Sequence, residues 1–362
     1  MLKSKKLMDF IQNPNGAMAY FTLDQDFLDS YNNNKIMSFE DNMKLNEEIG
    51  NPFHCGFDIL GEVKELITKT KVIKETSSTF TKKIYLETPL GEKGWQLTQM
   101  KNTLADRISK SNIAPVETRE DFALYDWFYE CVKKTDFSTF IKNTKNCIKD
   151  NDGKFLPGTF ICPPFEILYW SKREDLFFLY FDYPDEFNNA MNKIVDAYGI
   201  MCEVAKEAGL KYIAYGAPGG TEFTSPDIWR DAIVPSSIKL EKHIKDNDLY
   251  SSFHCCGKIS TIIRAGYLND INPRIYETLS TLPPGDVTDL REMRNLTSKS
   301  IITHGNIDLT FLRDATTEQV KKKVYEILEE TKGFPHLIGA GDACLWPNTP
   351  IENIKVVLDL LN

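Results

Sequence analysis

Arginine is absent from the first 106 residues of this 362-residue chain. That absence excludes from the N-terminal region any cluster of guanidinium forks gripping several carboxylates at once. Long apolar runs are missing as well. No stretch approaches the roughly 18 residues of a membrane span, and the basic opening MLKSKKLMDFIQNPNGAMAYF holds no apolar segment of signal-peptide length. A cytoplasmic protein with no membrane partner is the expectation. Positive charge is short: 43 Lys and Arg face 52 Asp and Glu, a net charge of -9, and no basic stripe compensates. Non-specific nucleic-acid binding is thereby disfavoured. Eight cysteines are scattered at 55, 131, 147, 162, 202, 255, 256 and 344, too sparse for a disulfide scaffold. No Gly-rich phosphate fingerprint follows an apolar run, and no short-period repeat or low-complexity tract occurs.

What is present is an ordinary globular composition, 42% hydrophobic and 26% charged. Residues 2–50 read as helical in pieces, broken at Tyr31-Asn32-Asn33-Asn34. Around 79–100, β-branched and aromatic alternation on both sides of Gly91-Glu92-Lys93-Gly94 predicts an antiparallel hairpin, a flap instead of a barrel strand. Two helices are predicted within 118–148, the first opened by Thr118 with Glu120 and Asp121 in its first turn. From about 155 a regular beat sets in. Strand-like runs at 155–162, 211–217, 249–256, 270–276, 299–305 and 336–341 alternate with helical stretches at 185–208, 226–246, 259–266, 286–296, 316–332 and 351–361. Such alternation points to a parallel sheet. Six units with room for two upstream predict an α/β fold, an eight-fold (βα)8 TIM barrel, with an open doubly wound sheet as the runner-up. The expected division is an N-terminal extension and flap over 1–100, part of the same domain, and a barrel body over 101–362.

His254 and Cys256 lie two apart at the end of an apolar run, so on a strand both project to one side. Cys344 occupies the equivalent place after the last predicted strand. Strand ends of a closed barrel converge on one rim, so the 88-residue separation from Cys256 is no obstacle. Three N/S ligands leave one position open, the arrangement of a catalytic zinc. His-x-Cys alone is a weak pattern, and on spacing alone Cys255 and Cys256 read equally as buried thiols on opposite faces of a strand.

Four segments carry more: YGAPGGTEFTSPDIWRDAIVP (215–235), FHCCGKISTII (253–263), ITHGNIDLTFLRDATTEQV (302–320) and GAGDACLWPNTPIENI (339–354). In order and spacing they resemble the uroporphyrinogen decarboxylase superfamily from about residue 150 onward. Within it they are most similar to the zinc-dependent methyltransferases that work with corrinoid proteins. The resemblance implies zinc on His254, Cys256 and Cys344, and a corrinoid (cobalamin) carried by a partner protein, since this chain has no DxHxxG motif. The missing arginines depart from the decarboxylase pattern, because a polycarboxylate tetrapyrrole needs bidentate partners. The first hundred residues align with no branch, and substrate specificity is expected there.

Other residues are weighed with these. Glu277, 21 residues after Cys256, reads as an oxygen ligand of the metal by resemblance to the related cobalamin-independent methionine synthases, or as a carboxylate favoured by a helix N-terminus. Glu222 and Asp342 read as proton-handling groups or as solvated capping carboxylates. Gly219 and Gly220 read as a close backbone approach to a ligand or as a tight turn. His304 reads as a substrate contact or a satisfied core histidine, and Asn306 and Asp308 match the family's stretch in type. The aromatic run 165–181 is chiefly core, with Phe165, Tyr169 or Trp170 as a possible wall for an aromatic substrate. The function these readings imply is methyl transfer from a small methylated substrate, an aryl methyl ether, to the Co(I) corrinoid of the partner. The alternatives are transfer from a methylcorrinoid to a thiol of the coenzyme M type, a decarboxylase-like enzyme, and a non-catalytic binding protein braced by zinc.

Overall fold

A computed structural model describes residues 3–33, 35–100, 116–162, 164–165, 173–217, 219–283, 285–341 and 345–362. The chain opens with helix α1 (Lys3–Gln12), strand β1 (Ala17–Ala19), helices α2 (Gln25–Tyr31) and α3 (Phe39–Ile49), and strand β2 (His54–Gly56). Three strands follow, β3 (Lys69–Glu75), β4 (Thr79–Thr88) and β5 (Gly91–Met100). The regular part then supplies β6 (Leu156–Phe160), β7 (Tyr212–Gly216), β8 (Tyr250–His254), β9 (Ile275–Glu277), β10 (Ile302–Ile307) and β11 (His336–Ala340).

Eight of these strands make one curled parallel sheet in the order β1-β11-β10-β9-β8-β7-β6-β2, a TIM-barrel-like arrangement. Helices cover its outside, led by Pro184–Ala208, whose start is fixed by Pro184 at the first turn and whose end is Gly209 at φ 86°. Among the described residues β1 and β2 share no ladder. Their seam is bridged by Asn51, whose side-chain Oδ1 accepts from the Phe21 N–H at 3.0 Å while its Nδ2 donates to the Phe21 carbonyl at 2.8 Å. One buried amide thus does the pairing that a ladder residue would. Helix α1 closes the opposite end of the sheet. Its Leu7 and Ile11 pack with Met18, Leu156, Ile275, Ile302 and Leu337 near the strands' beginnings, and Arg274 holds its C-terminus by donating to the Ile11 and Gln12 carbonyls.

Several expectations are corrected. Strands β1 and β2, from the first hundred residues, are the two outer strands of the parallel sheet. Residues 79–100 do form a hairpin, but β3 joins them as a third antiparallel strand. The turn falls at Thr88-Pro89-Leu90-Gly91 and not at Gly91–Gly94. The Thr88 hydroxyl donates to the Gly91 carbonyl at 2.7 Å and accepts from Leu90 N–H at 3.1 Å, and Gly91 takes φ 92°. Residues 267–271 are helical, so the predicted strand at 270–276 shortens to Ile275–Glu277. Asn272, at φ 52°, ends that helix ahead of Pro273. No helix among the described residues is long and apolar enough to cross a membrane.

Candidate active site

Alternation along β8 sets the site. Phe253 and Cys255 face the outer core beneath the helices, while Ser252 and His254 line a cavity of about 420 Å³ inside the curled sheet. His254 stands in register with Glu277 on β9, which lines the same cavity. Cys256 follows two residues later and is half-buried. Cys344, the second thiolate of the expected ligand set, and Asp342 lie outside the described residues. Among the described residues no three His, Cys, Asp or Glu side chains form a metal-binding group.

Glu277 is neither a helix-capping carboxylate nor a solvated one. It ends β9 and its side chain is only 18% exposed. Ser252 donates to its Oε1 at 2.8 Å, and His304 Nδ1 approaches its Oε2 at 3.3 Å. Burial pushes the Glu277 carboxyl up, but the His304 contact, the neighbouring His254 and the Ser252 hydrogen bond outweigh it, leaving the value at about 2. Glu277 is therefore an anion held deep in the sheet. His304 is buried on β10, and its Nε2 lies 3.1 Å from the Tyr20 carbonyl. With acceptors at both ring nitrogens, it orients Glu277 against β1.

Across the cavity the Tyr20 hydroxyl is hydrogen-bonded to His54 Nδ1. Burial pushes the Tyr20 hydroxyl up and the His54 ring down, the latter partly offset by Glu277. Neutral His54 then accepts while Tyr20 keeps its proton. Asn306, two residues beyond His304 on β10, has a buried Oδ1 with no hydrogen-bond partner among the described residues. A buried acceptor left over in this way is the kind of group that a ligand or water satisfies. Asp308 is accounted for locally: it caps the helix Leu309–Asp314, accepting from Phe311 N–H at 2.7 Å.

The loops beyond the strand ends are braced against one another. Glu222 is exposed and its Oε2 accepts from the Lys258 N–H at 2.8 Å, so it fixes the turn that follows Cys256. Thr221 N–H donates to the Lys258 carbonyl at 2.8 Å. A Cβ on Gly220 would run into that same carbonyl, so this glycine permits one loop to approach another, not a ligand. Gly219 takes φ 93° in the turn. Phe165 is 2% exposed and packs on Phe187, a core residue. Tyr169 and Trp170 lie outside the described residues.

Sequence reasoning missed Tyr20, His54, Ser252 and Phe160, all of which line the cavity. β1 and β2 are three residues long, too short for a period-two pattern to register. A signal did exist in the histidines. Of only five in the chain, His54, His254 and His304 line this cavity.

The whole chain is similar to a methyltransferase from Methanosarcina mazei. The two share 13% identity with a TM-score of 0.63, covering 99% of this chain and 98% of that one, a likeness of fold. A Listeria monocytogenes protein described as a vitamin-B12-independent methionine synthase is matched over 61% of this chain and 68% of its own, at 12% identity and a TM-score of 0.43. No curated protein sequence matches the chain. The uroporphyrinogen decarboxylase (URO-D) family matches residues 169–362, a span that holds β7 to β11 together with His254, Cys256, Glu277 and His304. That span is more than half of the chain, and the protein belongs to the URO-D family.

Proposed function

We infer that this protein is a zinc-dependent methyltransferase that moves a methyl group from a small methylated substrate, an aryl methyl ether, to the Co(I) corrinoid of a partner protein. The observation that carries the reading is the pairing of His254 with an ionised Glu277 in register at the strand ends, facing one cavity. The family match and the fold shared with a methyltransferase support it. An imidazole at the end of β8 and a thiol two residues beyond it suit zinc by donor type, with Cys344 as the third ligand of the proposed set. When bound, zinc would supply a Lewis acid to the heteroatom carrying the methyl group, and the corrinoid would supply the nucleophile.

The remaining work falls to the chain itself. Glu277, fixed by Ser252 and His304, places a permanent negative charge beside His254 and favours a cation there. Glu222 fixes the backbone just after Cys256. Tyr20 offers a hydroxyl that can turn from His54 to a substrate oxygen. The described cavity lining contains no Lys or Arg, which weighs against a polycarboxylate tetrapyrrole as substrate.

The test combines metal analysis with methyl transfer to chemically reduced cobalamin from methoxyaromatics, methanol, methylamines and methyl thioethers. Bound zinc near one per chain, lost in Cys256→Ala together with transfer, is the expected result. Transfer undiminished after zinc removal would overturn the mechanism. Activity confined to thiol acceptors would replace ether cleavage by the reverse transfer.

A further inference from the structure

The strand beginnings enclose a second hollow, at the end of the sheet opposite the His254–Glu277 pair. It measures about 410 Å³ and is lined by Tyr250 at the start of β8, by Asn272 and Arg274 ahead of β9, and by Lys245 of the helix Val234–Asp246. Two cations therefore face one concave space that the methyl-transfer chemistry does not use.

Arg274 has no carboxylate partner among the described residues. Its guanidinium donates to three backbone carbonyls, those of Ile11 at 2.6 Å, Gln12 at 2.8 Å and Ser300 at 3.3 Å. A guanidinium has five N–H groups, so one on each Nη is left over. Burial lowers its pKa below the ordinary arginine value, as happens to a charge that neutral surroundings do not repay. Lys245 is similarly placed. Its ammonium donates to the Asn272 carbonyl at 3.0 Å, and Glu241 Oε2 lies 3.9 Å away.

The two carboxylates that line the hollow are already engaged. Glu241 accepts from the Tyr215 and Ser251 hydroxyls, and Asp248 accepts from Lys206 at 2.8 Å. The cations are thus held mainly by neutral oxygens while the anions have partners of their own. Two such cations match a phosphate monoester, which carries about −1.5 to −2 charges near pH 7, better than they match a single carboxylate. The space is more than a bare phosphate fills and lies within the range of small-molecule sites, roughly 300–1,000 Å³. Tyr250 supplies an aromatic surface for the remainder, with Arg274 Cζ 5.8 Å from its ring centroid.

We propose that this hollow is a second ligand site, separate from the His254–Glu277 cavity, that takes a small phosphate monoester, with Arg274 and Lys245 sharing the phosphate oxygens and Tyr250 against the organic part.

The purified full chain is titrated calorimetrically, at constant ionic strength, with phenyl phosphate, inorganic phosphate and acetate. Phenyl phosphate is expected to bind most tightly, and inorganic phosphate roughly three- to tenfold more weakly for want of the ring contact. Acetate, with one negative charge, should bind roughly tenfold or more weakly than inorganic phosphate. Arg274→Met and Lys245→Met should each weaken phenyl phosphate roughly tenfold or more. Arg274 also anchors α1, so Lys245→Met, a change at an exposed side chain, carries the test if Arg274→Met fails to fold by circular dichroism. Absent phenyl phosphate binding, inorganic phosphate or acetate binding as tightly as phenyl phosphate, or affinity unmoved in folded Lys245→Met would each overturn the proposal. Affinity lost in Cys256→Ala but kept in Lys245→Met would overturn it as well, by placing the anion in the other cavity. None of these readouts depends on methyl transfer.

Discussion

Glu241 shows how far one buried residue can set the response of this protein to pH. It is 2% exposed on the helix Val234–Asp246, accepting from the Tyr215 hydroxyl at 2.7 Å and the Ser251 hydroxyl at 3.0 Å. Burial raises its carboxyl from 4.5 to about 7, more than those hydrogen bonds and Lys245 lower it. The folded protein therefore binds the proton more tightly than the unfolded chain, and the stability tied to that proton is complete below pH 4.5 and lost as pH rises through 7. The loss is on the order of 3 kcal/mol. Glu241→Gln should flatten it, read as urea midpoints between pH 4.5 and 8 that no longer fall. His336 has the opposite sign. Burial lowers its ring from 6.5 to about 3, so its contribution is present above pH 6.5 and lost as pH falls, and it survives in the Glu241→Gln variant. Neither residue announces itself in the sequence. A glutamate in a helix and a histidine in a strand acquire these values only from what packs on them, whereas the place of His254 at the end of an apolar run was legible, and β8 ends there, two residues before Cys256.

At the scale of elements, legibility followed length. The helices at 184–208 and 351–361 and the strands β6, β7, β8, β10 and β11 repeat their patterns often enough to be read, while β1, β2 and β9 offer three residues each. Ladder bonds on their outer partners and the Asn51 bridge hold such short strands, and neither has a sequence signature. The hairpin was legible as a pair of alternating runs, but its turn was not, because Pro89 and a Thr88 side-chain bond compete with a more conspicuous glycine pair. The Asn51 bridge makes a clear prediction. Asn51→Ala leaves the Phe21 N–H and carbonyl without their partners in a 2%-exposed site, each orphan costing about 1–3 kcal/mol. A drop in unfolding free energy of about 2–5 kcal/mol is expected by urea titration, with the outer helices intact by circular dichroism. A drop under 0.5 kcal/mol, the ordinary range for a surface change, would mean that the β1–β2 seam closes without this amide.

Over the whole molecule, some of the apolar side chains left in water lie on segments that follow strands of the parallel sheet. Phe178 and Phe181 lie after β6, Phe223 after β7, Leu282 after β9 and Trp346 after β11, with exposures from 40% to 68%. Arg313 stacks over the Trp346 ring at 4.8 Å, and the side chain stays 40% exposed. Under the methyl-transfer reading this is also the side from which a corrinoid-bearing protein must approach, and exposed aromatic anchors are what such a docking surface uses. Replacing Phe223 or Trp346 by Asp puts a charge where the partner would desolvate it. The half-saturating concentration of a corrinoid protein should then rise roughly tenfold or more. Transfer to free reduced cobalamin, which needs no docking surface, should stay the same, because neither side chain lines the cavity that holds His254 and Glu277. Equal losses with both acceptors would place these residues in the chemistry instead of the docking, and no loss with either would move the partner's approach away from this rim.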